Sequence, residues 1–294
     1  IQVQDLTPPT IVCPADITVS CEDDTTSANT GVPTVSDLCT PVANITITHG
    51  NVSTQDADPP TAGQYNYTIT RTWRAEDPSG NVSTCDQIIQ VQDLTPPTIV
   101  CPADITVSCE DDTTSANTGV PTITDACTPL ANILVTHGNV CTQDADPATA
   151  GHYNYTITRT WRAEDPSGNV STCDQIIQVQ DLTPPTIVCP ADITVSCEDD
   201  TTSASTGVAT ATDQCAAPGN ITITHGNAST QDADPATAGH YNYTITRTWR
   251  AEDPSGNVST CDQMIQVQDL TPPVVECKTC LLYTSDAADD YLTV

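Results

Sequence analysis

The pentapeptide DLTPP occurs at residues 5–9, 93–97, 181–185 and 269–273, so the chain repeats itself at a fixed step of 88 residues. A fixed period constrains the fold more than any local propensity does, because every unit must bury its apolar face in the same way and then meet a near-copy of itself. Units Asp5–Gln92 and Asp93–Gln180 differ at only nine positions. The period sets repeats at 5–92, 93–180 and 181–268, with 1–4 read as the last strand of a preceding unit and 269–277 as the start of a further one. Eighty-eight residues exceed the usual solenoid repeat and suit one small domain, which buries roughly 60–65% of its unfolded surface and gains from covalent staples. The period fails after Cys277, and CLLYTSDAAD at 280–289 resembles the translated adapter of a transposon-type sequencing library. Residues 278–294 are therefore either such an artefact or a divergent tail, and they stay outside the fold argument.

Within a unit, short period-2 runs alternate with clusters of Pro, Gly, Asn and Asp, and no stretch has helical periodicity. The pattern predicts an all-β antiparallel sandwich, with strands in the first unit over 10–13, 16–21, 32–38, 44–49, 64–75 and 84–92. The core is modest, since the chain has no Phe, one Met and a single Trp per repeat, Trp73, Trp161 and Trp249. In YNYTITRTW, Tyr65, Tyr67, Ile69 and Trp73 share one face. Alternation puts Arg71 on that face too, so it pairs with a carboxylate, snorkels out, or is rotated outward by a bulge, because an unpaired buried charge costs several kcal/mol.

Each unit carries eleven carboxylates against two arginines, and the whole chain has a net charge of −31. A field of that sign repels phosphate backbones and anionic membranes, so nucleic acid is excluded as a partner, while cations are attracted. Histidines 49, 137 and 225 recur in THG turns without a nucleophile motif beside them, and Asp56 and Asp58 sit in a Pro-rich loop with no apolar pocket to raise a pKa. The chain reads as a non-enzyme with no resident cofactor. No stretch reads as a membrane span.

Thirteen of the fifteen cysteines follow the period: Cys13, Cys21, Cys39 and Cys85, then Cys101, Cys109, Cys127 and Cys173, then Cys189, Cys197, Cys215 and Cys261, then Cys277, with Cys141 and Cys280 in addition. This spacing implies a disulfide framework and an oxidising compartment. Strand polarity gathers Cys13, Cys39 and Cys85 at one end of a unit and leaves Cys21 at the other. Cys21 and Cys39 then join within a unit if the 22–31 loop folds back, or Cys21 crosses the joint to Cys127 or to a neighbouring chain. The same choice applies to Cys109, Cys127, Cys197 and Cys215. Cys141 replaces Ser53 and reads as a free or intermolecular thiol.

The two prolines of DLTPP stiffen a short connection and stop it from continuing a ladder, which makes it a linker. The polarity also brings Asp93, Asp125, Glu164 and Asp165 to one end of the second unit, and Asp181, Asp213, Glu252 and Asp253 repeat the set. Such hard oxygen ligands suit Ca²⁺ at the joints.

DLTPPTIVCPADITV at the start of the unit, with AEDPSGNVSTCDQIIQVQD at its close, resembles the hyalin-repeat (HYR) type of immunoglobulin-like module, notably the long tandem arrays of secreted bacterial surface proteins such as gliding-motility adhesins. The resemblance spans the whole period. It implies an extended rod of immunoglobulin-like sandwiches, extracellular adhesion or structure at the cell surface, and no catalysis. Resemblance to two-cysteine HYR modules also implies Cys13–Cys85, Cys101–Cys173 and Cys189–Cys261 pairs, each closing about 70 residues and worth ~4 kcal/mol. Bacterial relatives often have a cysteine in the EDPSGN loop, and here there is none. DTT at 24–26, 112–114 and 200–202 resembles the Asp-Ser/Thr-small O-glycan acceptor of the bacteria in which such arrays abound, which marks Thr25, Thr113 and Thr201. Asn-x-Ser/Thr triplets also recur, at Asn44, Asn66 and Asn81 among others, as chance allows in an Asn- and Thr-rich strand protein. The expected function is a structural part of a bacterial surface fibre or filament, with neighbouring copies of itself as partners. The alternative is an adhesin whose repeated loops, 22–31 and 76–83, bind glycans or surfaces.

Overall fold

The computed structural model describes residues 3–276, so Ile1 and Gln2 of the strand expected at 1–4, Cys277, Cys280 and the tail at 278–294 lie outside the described residues. The chain divides into two compact units, Ile1–Leu182 with two repeats and Thr183–Val294 with one.

The first repeat contains β1 (Thr10–Val12), β2 (Ile17–Ser20), β3 (Thr34–Ser36), β4 (Thr46–Ser53), β5 (Tyr67–Glu76) and β6 (Val82–Gln92). Four strands form one sheet in the order β2-β6-β5-β4, and β1 pairs with β3 in a second, smaller sheet. β5 runs antiparallel to β4 and β6, whereas β2 runs parallel to β6. Pro14 lies between β1 and β2 and supplies no N–H, so the ladder breaks there and the chain passes from the small sheet to the large one. The other two repeats have the same strand order. The architecture is a nearly all-β sandwich repeated at 88 residues.

Alternation along β5 and β6 builds the core: Ile69, Arg71, Trp73 and Ala75 are buried from one strand, and Gln87, Ile89 and Val91 from the next. Val19, Ile69, Ile89 and Val91 form one cluster. In the second repeat Ile99 and Ile123, from the small sheet, pack on Ala163 of the large one. The small sheet is too short to cover its partner fully, and all eight residues of β4 are exposed.

Arg71 corrects the expectation drawn from sequence. It is 1% exposed and pairs with no carboxylate; its guanidinium donates to Asn51 Oδ1 at 3.0 Å, Thr30 Oγ1 at 2.6 Å and the Thr25 carbonyl at 2.6 Å. Neutral oxygens thus satisfy the charge and tie the 22–31 loop to the sheet. Burial lowers the Arg71 pKa, and the nearby Asp24 charge opposes that shift. The loop contains one helical turn, Ser27–Thr30, which ends at Gly31 with φ +99°, and a Cβ there would lie 3.1 Å from Pro14 Cβ.

Tyr65 also departs from its expected place. A 3-10 turn at Ala62–Gln64 carries it off the β5 stripe, although it stays 7% exposed.

Candidate functional site at the repeat joint

In the first compact unit the connection between repeats is fastened on both sides. The Asp93 N–H donates to Asn66 Oδ1 of the first repeat at 2.8 Å. From the second repeat, Asn169 Nδ2 donates to the Asp93 carbonyl at 3.1 Å, and Ser167 Oγ and Thr128 Oγ1 donate to its Oδ2 at 3.2 and 3.5 Å. Asp93 is 2% exposed. Sequence reading assigned DLTPP its stiffness through proline alone, whereas these hydrogen bonds fix its first residue directly.

Cys21 follows β2, and its N–H donates to the Gln92 carbonyl at the end of β6 at 3.1 Å, which places it beside the linker. It is bonded to Cys127 of the second repeat, with Cα atoms 5.8 Å apart. The alternative of a Cys21–Cys39 bond within the repeat is therefore corrected: β2 and β3 end at opposite poles, and Cys39 remains an exposed free thiol. Asn132 Nδ2 adds hydrogen bonds to the Pro59 carbonyl and the Tyr65 hydroxyl, each 3.2 Å, across the same joint. Tyr65 was assigned to the core, and its burial instead belongs to this contact. The only sequence signal for Asn132 is its place two residues after Pro129–Leu130, in a turn that carries no other mark.

Inside each repeat the remaining cysteines join the two sheets: Cys13 to Cys85, Cys101 to Cys173 and Cys189 to Cys261, with Cα separations of 5.9, 5.8 and 5.9 Å. Cys109 and Cys215 are disulfide-bonded, and Cys141 and Cys197 are free thiols. The negative charge of Asp5, ahead of burial and of Asp37 and Asp77, pushes the Cys39 thiol up.

Three carboxylates gather at the pole of the second repeat that faces the linker. Asp125 Oδ1 accepts from the Cys127 and Thr128 N–H groups at 2.9 and 2.7 Å, while its Oδ2 is buried without a hydrogen-bond partner. Asp165 accepts from the N–H and side chain of Asn169, both at 2.9 Å. Burial pushes the Asp93 carboxyl up, the Thr95 N–H opposes this, and repulsion from Asp165 and Asp125 adds to it. Glu164 pairs with Arg162. In the third repeat Glu252 likewise pairs with Arg250, Asp253 accepts from Asn257, and Asp213 Oδ1 accepts from the Cys215 and Ala216 N–H groups. Asp181 N–H donates to Asn154 Oδ1 at 2.8 Å, as Asp93 does to Asn66.

The proposed glycan acceptors Thr25, Thr113 and Thr201 are half-buried, and their carbonyls accept from Arg71, Arg159 and Arg247 at 2.6 Å. His49 lies edge-on to Trp73, with ring centroids 4.8 Å apart, and His137 and His225 repeat the contact with Trp161 and Trp249. No helix among the described residues is long and apolar enough to cross a membrane.

No family profile matches the chain. It is similar to hyalin of Lytechinus variegatus, 33% identical over 216 residues, covering 70% of this chain and 38% of that protein. The chain thus spans well under half of the relative's length. Among solved structures, it superposes on protocadherin gamma B2 extracellular cadherin domains 1–5 with a TM-score of 0.31 and 15% identity, over 90% of this chain and 61% of that one. For human CDH23 EC21-23 the TM-score is 0.32 at 15% identity, over 89% of this chain and all of the other. Drosophila N-cadherin EC1-4 gives 0.31 at 14% identity, over 89% and 75%. Scores of this size leave fold and function to be argued from the chain itself.

Proposed function

We propose that this chain is a stretch of an extracellular, adhesion-type structural array, in which stapled sandwiches carry load in a surface fibre. The Cys21–Cys127 bond carries the reading, because with it two covalent paths cross the joint between the first and second repeats: the linker and the bridge. In a load-bearing array such a bond adds resistance to extension at the joint, beyond the stability that it gives the fold. The similarity to hyalin supports an extracellular repeat protein, as do the disulfides. A bacterial surface is the finer part of the proposal and rests on the sequence resemblance alone.

Single-molecule pulling of the whole chain tests the reading. With Cys13–Cys85 closed, an unfolded repeat releases only the residues outside the bridge, about 16, or roughly 55 Å at 3.3–3.6 Å per residue. With a reductant it releases nearly the whole repeat, on the order of 300 Å. Long steps in the absence of reductant would show that the staples do not limit extension and would remove the reading. The alternative, direct binding of glycans or surfaces by the repeated loops 22–31 and 76–83, is tested by glycan-array binding of the oxidised chain.

Two further proposals belong to the same reading. Asp93, Asp125 and Asp165 are offered as ligands for Ca²⁺, with the buried, unpaired Asp125 Oδ2 as the feature that fits a cation. Thr25, Thr113 and Thr201 are offered as O-glycan acceptors, to be read from the intact mass of protein recovered from its source.

A further inference from the structure

A strand at the edge of a sheet presents a row of unpaired N–H and C=O groups, and natural sheets blunt such rows with charge, proline or brevity. The two edges of the large sheet differ in this respect. β2 is four residues long, with Asp16 before it and Glu22, Asp23 and Asp24 after it, so it is both short and flanked by charge. β4 is eight residues long, and its sequence TITHGNVS holds no proline and no Asp, Glu, Lys or Arg. The matching strands Leu134–Cys141 (LVTHGNVC) and Thr222–Ser229 (TITHGNAS) are as long and as free of such charge. In a chain with a net charge of −31, these strips are where a like-charged molecule can come close. Joining two repeats does not cover them, since all eight residues are exposed in both the first repeat and the second. Val52 and Val140, 72% and 70% exposed, are apolar side chains left bare there.

The phase of the free groups follows from the pairing with β5. The Thr54 N–H donates to the Thr68 carbonyl at 3.0 Å, and the β4–β5 register pairs Val52 with Thr70, Gly50 with Thr72 and Thr48 with Arg74. Antiparallel alternation therefore turns the backbone groups of Thr48, Gly50 and Val52 toward β5, and those of Ile47, His49, Asn51 and Ser53 away from it. No second strand pairs with β4 among the described residues. The same bond from Thr142 to Thr156 and from Thr230 to Thr244, each 3.0 Å, sets the same phase in the other repeats.

We infer that this edge is an interaction surface for a second copy of the chain, with two β4-type strands lying antiparallel so that Ile47 pairs with Ser53 and His49 with Asn51 of the other copy. The inference rests on the reading of the protein as a structural array and names its lateral partner. This register uses every outward N–H and C=O of both strands, whereas a shift of two residues toward the strand's start would pair Ser53 with Ile45, outside β4. It also sets Gly50 opposite Gly50 on the two-fold axis, where a non-hydrogen-bonded pair brings Cα atoms to about 4.5 Å. Nothing in the chain lies within 4 Å of a Cβ built at Gly50, Gly138 or Gly226, so the approach is open in all three repeats. The pairing joins two four-stranded sheets into one across the copies. Each contact is isologous and closes on itself, and the repeats supply it several times over, so weak single contacts add up along paired chains.

The test uses the whole chain with Cys39, Cys141, Cys197, Cys277 and Cys280 changed to serine. In sedimentation velocity its mass is expected to rise with concentration to at least twice that of the monomer. Into this background go Gly50→Cys, Gly138→Cys and Gly226→Cys together, followed by a small-molecule disulfide and a denaturing gel without reductant. Covalent multimers that collapse on reduction are expected, with peptides joined at these positions. The set Val52→Cys, Val140→Cys and Ala228→Cys alone stays monomeric, because in this register two such cysteines are four residues apart along the ladder, roughly 13 Å. Mixed with a chain carrying Thr48→Cys, Thr136→Cys and Thr224→Cys, it gives crosslinks, since positions 48 and 52 face each other across the copies. A background chain that stays monomeric at every concentration overturns the inference, and so does a Val52 set that crosslinks as readily as the Gly50 set. Tryptophan fluorescence and circular dichroism confirm that each variant is folded. The Cys21–Cys127 peptide in a digest of the background separates the two levels: if it is present in a monomeric chain, only the lateral contact fails, and if it is absent, the array reading fails with it.

Discussion

Changing Cys21 to serine removes the bridge to Cys127 and leaves the polar contacts of Asn132 in place. The size of the effect follows from the path the bridge closes. When the first repeat unfolds beside a folded second repeat, the shortest covalent loop runs from Cys21 back to Cys13, across to Cys85 and on to Asp93, about 16 residues, for which chain entropy gives ~3 kcal/mol. If the two repeats unfold together, the shortest loop runs from Cys21 to Cys13, across to Cys85 and along the chain to Cys127, spans about 50 residues and is worth ~4 kcal/mol. Each Asn132 hydrogen bond contributes about 0.5–1.5 kcal/mol, so the bridge dominates the joint. Guanidinium titration followed by Trp73 fluorescence, in a chain with Trp161→Phe and Trp249→Phe, isolates the first repeat. With a slope of roughly 3 kcal/mol/M, Cys21→Ser lowers its midpoint by about 1 M. A parallel chain that keeps only Trp161 tells the two cases apart, since concerted unfolding moves both midpoints in step. If neither midpoint moves, the crosslink does not constrain the unfolded chain and the argument fails.

Replacing Arg71 with methionine removes the charge but strands the Thr25 carbonyl and takes the donor from the Thr30 hydroxyl, which keeps only its own bond to the Thr26 carbonyl; a loss of about 1–3 kcal/mol is expected, with the 22–31 loop opened to proteases, and an unchanged cleavage rate would contradict the clamp. Arg71→Lys should rescue little, because one ammonium cannot span three acceptors. The Asp93 carboxyl is pushed up in the folded state, so that state holds the proton more tightly than the unfolded chain; stability from this group is greatest at low pH and falls as pH rises from the ordinary carboxylate range through the raised value. Asp93→Asn keeps an acceptor for the Thr95 N–H and can donate to Ser167 and Thr128, so it should raise the melting temperature at neutral pH by a margin that shrinks toward pH 4; a lower melting temperature at neutral pH would refute this. If the three carboxylates hold Ca²⁺, the ion at about 100 times its Kd stabilises by ~2.7 kcal/mol, raising the melting temperature by several degrees relative to EDTA, and Asp93→Asn abolishes the difference. Identical melts with Ca²⁺ and with EDTA would exclude the ion.

How much of this could be read from sequence depends on the distance over which each feature is encoded. The period is written out in full, and strands such as Tyr67–Glu76 announce themselves by alternation, because side chains on one face must all meet the same core. Strand polarity alone made Cys21–Cys127 one of the candidate bonds, since a bond needs two residues at the same pole. Arg71 marks where this reasoning stops. Its acceptors lie 20, 41 and 46 residues away, two of them in a loop whose path follows from the positive φ of Gly31 and from the Asp24 turn, and no period-2 pattern records a loop's path. Tyr65 fails for a related reason. It sits in phase with the core stripe, but the preceding turn removes it from the strand and spends its burial on the joint. Asn66 resembles a glycosylation triplet and in fact holds the linker N–H, and a polar side chain that serves the backbone leaves no compositional trace beyond its identity. In a tandem array, then, what lies inside a repeat is legible from one copy, whereas what lies between repeats is written in residues of two units at once, as the Asn132 hydrogen bonds to Tyr65 and to the Pro59 carbonyl are.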